Sequence, residues 1–131
     1  DAKLDIFADE LVHRQNAADR YAALLEGVVG TPSLEAGVTS SWAQYVIQLP
    51  QGSNRDAICR LLANSGVPTA IYYPVPMHRQ PPYAHYPVSS CDLPVTMNLC
   101  DHVLAFPMHP YLETAQQAHI AASLKDALAK A

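Results

Sequence analysis

The sequence predicts an α/β fold, a small domain of about three strands with helices packed on them. Two observations carry that expectation. Long segments near both ends repeat apolar residues every three or four positions, the period of a helix with one buried face. Short runs between them alternate, or are β-branched and aromatic, which suits strands. The chain has 131 residues, the size of one domain. A domain of that size buries roughly two thirds of its unfolded surface, enough for a core without disulfides.

In chain order, Leu4, Phe7, Leu11, Ala18, Tyr21 and Leu25 fall on one stripe of a first helix, and Gly27 and Gly30 are its stops. Asp5, Asp9, Arg20 and Glu26 take the other face. Pro32, Gly37 and the run Thr39-Ser40-Ser41 make residues 31–41 a loop. Residues 42–49 alternate with bulk on both faces, so they read as a central strand, ended by Pro50 and Gly52. Ser53, with Asp56 three positions on, starts a second helix lined by Ile58, Leu61, Leu62 and Ser65. Gly66 is its C-cap, and Pro68 prevents continuation.

Residues 69–73 read as a second strand. Residues 74–94 hold Pro74, Pro76, Pro81, Pro82, Pro87 and Pro94 among His78, Tyr83, His85 and Tyr86. That proline density excludes helix and central strand and leaves a long, stiffened loop. Such a loop in a compact domain is uncommon and often functional. A short helix over 93–99, a third strand over 103–106 and Pro107 follow. Thr114 and Gln117 form a capping box, and Gln117, Ile120, Leu124 and Leu128 mark a last amphipathic helix ending near Lys130.

Half of the residues are hydrophobic, 15% are charged and the net charge is -4, a globular composition. The bases are scattered singly, which excludes a cationic nucleic-acid face. Every apolar stretch is broken by glycine, proline or polar residues, so no membrane span is expected. Three cysteines without CxxC spacing suit free thiols in a reducing cytoplasm. The chain begins with Asp1 rather than Met, inside a helical pattern, and so reads as the C-terminal piece of something longer.

The proline-rich loop is the best candidate site. His78 stands among Tyr72, Tyr73, Met77 and Arg79, which together offer an imidazole, phenol hydroxyls with flat apolar faces, and a guanidinium for an anion. Prolines pre-order the backbone and lower the entropy lost on binding. His109, after the third strand, is more ordinarily a surface or capping residue. His78, His85, Cys91, Cys100, His102 and His109 match no zinc spacing, so no metal is expected. Proximity of Cys100 and His102 in sequence does not make a nucleophile and base.

GxGxxG, P-loop and GxSxG motifs are absent. Lys3, Lys125 and Lys130 read as solvent-facing helix ends, none of them a desolvated amine. From the residues alone this is a small domain with one ligand-capable loop. A free-standing ligand-binding or regulatory module of ferredoxin-like topology and a non-catalytic interaction domain both remain open at this point.

The order of segments nevertheless resembles the C-terminal domain of DegT/DnrJ/StrS-type sugar-nucleotide aminotransferases of fold type I. The matching pieces are DELVHRQNAADRYAALLEG (9–27), TSSWAQYVIQLP (39–50), NRDAICRLLANSGVPTAIYYPVPMHRQPPY (54–83), LPVTMNLCDHVLAFPMHPYL (93–112) and the closing helix. GVPTAIYYPVPMH together with LAFPMHP is the most specific combination. The resemblance implies transfer of an amino group from glutamate to a keto sugar carried on a nucleotide, with pyridoxal 5'-phosphate as cofactor. It implies a homodimer with active sites at the subunit interface, and residues 1–27 as the helix linking to a large cofactor domain. It implies that the loop lies over the active-site cleft, with His78, Tyr72 and Tyr73 as substrate contacts and His109 structural. The tyrosine-rich loop leans toward UDP-linked sugars. The cofactor's lysine, the aspartate for its ring nitrogen and its phosphate-binding residues belong to the large domain, and nothing here matches them. Alone, the chain is therefore expected to hold no cofactor and to be inactive.

Overall fold

A computed structural model describes residues 2–88 and 92–131. Short α1 (Ala2–Asp5) leads into α2 (Phe7–Leu25), followed by β1 (Tyr45–Gln48), α3 (Arg55–Asn64), a 3-10 turn (Met77–Arg79), α4 (Pro94–His102), β2 (Val103–Phe106) and α5 (Thr114–Lys130). β1 and β2 pair antiparallel, in register from Tyr45↔Phe106 to Gln48↔Val103. Side chains alternate along a strand, so Tyr45, Ile47, Leu104 and Phe106 share one face, and all four are buried. They meet Tyr21 and Leu25 of α2, Ile58 and Leu62 of α3, and Ile120 and Leu124 of α5 in one core. Rings stack there: Tyr21 lies 4.9 Å from Tyr45 and 5.8 Å from Phe106, centroid to centroid.

Several expectations shift. The strand over 69–73 shrinks to one residue. Ala70 donates to the Ala105 carbonyl at 3.2 Å and accepts from the Ala105 amide at 2.7 Å. Pro68 has no N–H to give, so the pairing cannot extend on that side of Ala70. The expected three-stranded layer is therefore two strands plus a bridged residue on the far edge of β2. β1 is shorter than 42–49 because Trp42 adopts φ 46, outside the extended region. It is flanked on both edges as a central strand would be, since Gly30 bridges Gln48 opposite β2.

Both caps move by one residue. Asn54, not Ser53, caps α3, its side chain accepting from the Ala57 amide at 3.0 Å. The capping box of α5 is Glu113 with Gln116, which frees Gln117 to be buried. Gly66 ends α3 as expected. Its φ of 75 lets its amide reach the Ala63 carbonyl and the Val67 amide reach Leu62, both orphan carbonyls of the last turn. The short helix expected over 93–99 runs on to His102, with Pro94 in its first turn.

The first helix departs most. Only its C-terminal part enters the core: Ala17, Ala18, Tyr21 and Leu25 are buried, while Leu4 is 69% exposed and Phe7 46%. Polar contacts hold the buried part. Arg20 donates to the Gln117 side chain at 2.6 Å and to the Leu112 carbonyl at 3.0 Å. Gln117 donates to the Ala17 carbonyl at 2.7 Å, and the Tyr21 hydroxyl to the Pro107 carbonyl at 3.0 Å. Glu10, buried in the first turn of α2, accepts from the Tyr111 hydroxyl at 2.5 Å.

Candidate functional site

The proline-rich segment leaves the sheet at Ala70 and becomes a string of tight turns. The Arg79 amide donates to Pro76, Gln80 to Met77, Tyr83 to Gln80 and Tyr86 to Tyr83. With no long-range ladder, its aromatic side chains stay outside the core. Tyr73 is 69% exposed, and Tyr72, Met77, Tyr83 and Tyr86 are exposed too. Pro76 is its buried point.

The sequence-derived site residues divide. Tyr72 and Tyr73 meet edge to face, with ring centroids 6.0 Å apart. Tyr72 also lines a cavity of about 300 Å³ on the sheet. Ala70 and Ala105 put their side chains on the face opposite the core, and Tyr72 lines the same depression. With Ala43 they leave the depression, because a methyl group fills so little of a sheet surface. Gln44 and Thr69 supply the other polar side chains beside the Tyr72 hydroxyl. Pro107 and Met108 complete a lining with no charged residue. His78 sits half-buried on the 3-10 turn with Arg79 exposed beside it, both outside that lining. The fold thus separates an uncharged depression from a cation-capable turn six residues along the chain.

The remaining polar candidates are dispersed. His85 stacks on Tyr86, with centroids 4.4 Å apart. The His102 ring meets the Asn98 carbonyl at 2.8 Å, within its own helix. His109 is exposed and lines a separate cavity with His119, whose ring meets the Ser65 carbonyl at 2.9 Å. Among the described residues no three His, Cys, Asp or Glu side chains come together to hold a metal. Cys100 is half-buried, and Cys91 lies outside the described residues. No described helix is long and apolar enough to cross a membrane.

Gln44, Ala70, Ala105 and Met108 escaped sequence reasoning. Their joint role depends on residue 70 pairing with residue 105, and no local pattern announces a bridge across that separation.

A model of the DegT/DnrJ/EryC1/StrS aminotransferase family matches residues 1–125. The UDP-2-acetamido-2-deoxy-3-oxo-D-glucuronate aminotransferase of Pseudomonas aeruginosa is 39% identical over 123 residues, 93% of this chain and 33% of the relative. The UDP-N-acetyl-3-dehydro-alpha-D-glucosamine 3-aminotransferase of Acidithiobacillus ferrooxidans is 38% identical over 116 residues, 88% of this chain and 30% of the relative. The crystal structure of a DegT DnrJ EryC1 StrS aminotransferase from Brucella abortus superposes with TM-score 0.89 and 41% identity, covering 97% of this chain and 33% of that one. The chain thus spans about a third of the length of the relatives it matches.

Proposed function

The chain belongs to the DegT/DnrJ/EryC1/StrS aminotransferase family and has the fold of a small domain of its fold type I enzymes, and from that premise we propose what it does. It is the C-terminal part of an enzyme that moves an amino group from glutamate to a nucleotide-linked keto sugar. It supplies substrate-binding and dimer surfaces in a cytoplasmic homodimer. The observation that carries this reading is the high identity to two aminotransferases named for UDP-linked keto sugars. It supports a UDP-linked substrate here.

The residues of this chain do not fit the cofactor. Lys125 and Lys130 are exposed on α5, whereas Schiff-base chemistry needs an amine held in a desolvated pocket. Pyridoxal 5'-phosphate, which supplies an electron sink for amino transfer, belongs in this proposal to the rest of the enzyme. The chain alone is then inactive.

The roles left to this chain are binding and positioning. His78 and Arg79, on one turn, meet the diphosphate or the sugar, and Tyr72 and Tyr73 flank it. Residues 1–27 lead to the large domain. Leu4, Ile6, Phe7 and Val12 are exposed along that helix, and the large domain is their cover.

The test uses the full-length enzyme and its two half-reactions. His78→Ala should raise KM for the nucleotide sugar by tenfold or more, the worth of one charge-assisted hydrogen bond, and leave the glutamate half-reaction nearly unchanged. Equal loss in both half-reactions would overturn the role of His78. No transfer to any nucleotide-linked keto sugar would overturn the function.

A further inference from the structure

We infer that the uncharged depression on the open face of the sheet is a base-recognition site, and that Gln44 and Tyr72 are specificity-determining residues for a pyrimidine nucleotide. The inference rests on the nucleotide-sugar reading above and deepens it.

Three observations lead there. The first is charge. A diphosphate carries its charge to any subsite it enters, and burial of unpaired charge is costly. This lining has none to offer in return, while His78 and Arg79 lie outside it. The part of a nucleotide sugar that suits an uncharged slot is its neutral end. The second is surface chemistry. Ala70, Ala105, Pro107 and Met108 present an apolar floor, which would strand the many hydroxyls of a sugar but suits the face of a flat ring. The Tyr72 ring and the Gln44 amide add the two means by which proteins read a base, stacking and hydrogen bonds along its edge. An amide offers a donor and an acceptor in one plane, matching the alternating carbonyl and N–H groups of uracil. The third is the volume of about 300 Å³, within the range of ligand pockets and ample for a flat ring. Relatives named for UDP-linked and dTDP-linked substrates both carry a pyrimidine at that end.

The experiment measures inhibition of the full-length enzyme by UDP and by inorganic pyrophosphate, which lacks the base. Gln44→Ala should weaken UDP inhibition about tenfold and leave pyrophosphate inhibition unchanged. Ala70→Leu, which fills the floor, should do the same to a larger extent, and the exposed position of Gln44 makes its variant safe for folding. Equal weakening of UDP and pyrophosphate would overturn the base site in favour of phosphate recognition or a distorted fold. No change in either would overturn it in favour of a depression covered by the rest of the enzyme. These outcomes differ from failure of the function itself, in which the unaltered enzyme neither transfers to a nucleotide sugar nor responds to UDP.

Discussion

The two ends of α2 have the same apolar spacing and opposite fates. Toward the C-terminus, Tyr21 and Leu25 are fully buried against the sheet and α5. Toward the N-terminus, Phe7 of that stripe is exposed, as is Val12, beside a cavity of about 590 Å³ that they line with Leu11 and Thr39. A single helix therefore carries two faces of different allegiance. One is satisfied inside this domain, and the other stands open to solvent. Periodicity reports that a helix has an apolar stripe but says nothing of which neighbour covers each part of it.

Substitutions can break that comparison. The largest effect is expected at the buried end. Tyr21→Ala should cost about 3–5 kcal/mol of unfolding free energy, as a large buried side chain leaves a cavity. Phe7→Ser should cost under about 0.5 kcal/mol in the chain by itself, like other surface changes. Urea unfolding of both variants reads the contrast, and equal losses would refute it.

A middle effect belongs to the polar clamp. Gln117 is fully buried, with its amide on the Ala17 carbonyl and its oxygen on Arg20. Gln117→Leu should cost about 1–3 kcal/mol, because Arg20 loses one of its two acceptors and the buried Ala17 carbonyl loses its side-chain donor. An unchanged urea midpoint would show that α2 is held by apolar packing alone.

The smallest effect is set by pH. Burial pushes the Tyr45 hydroxyl up to about 12 from an ordinary 10.0, with Thr31 pulling the other way. Burial, and then Tyr45, raises Tyr21 as well. Between pH 10 and 12 the folded state keeps a proton that the unfolded chain has released, so stability falls as pH rises through that window. Below pH 10 the contribution is fully present. Tyr45→Phe should flatten the alkaline loss in a thermal-melt series and leave neutral stability within about 1 kcal/mol, since losing a weak contact with Thr31 is offset by removing a poorly satisfied buried hydroxyl. An unaltered alkaline slope would remove Tyr45 from the account.

What was legible in the sequence follows the range of each interaction. The helices α3 and α5, the Gly66 cap and the short strand after α4 are written locally, in periodicity and end signals. The loop at 74–94 was legible as a site candidate from its prolines. The strand over 69–73 reads longer than it is because its propensity is strong while its pairing is confined to Ala70. The depression beside Tyr72 was invisible, because alanines gain their meaning only from what they face. The exposed end of α2 was likewise hidden, since a buried and an unburied stripe have the same spelling.

The clamp between Arg20, Ala17 and Gln117 joins residues 97 and 100 positions apart, and β1 waits for a strand that is also far downstream. Such long-range closure slows folding and rewards it late. On a ribosome adding roughly 5–20 residues per second, the first long helix would emerge on the order of ten seconds before its partner α5. Throughout that interval its C-terminal end, with Tyr21 and Leu25, is sticky. The nascent chain thus has to be kept from the wrong company, and the last seventeen-residue helix is what brings the wait to a close.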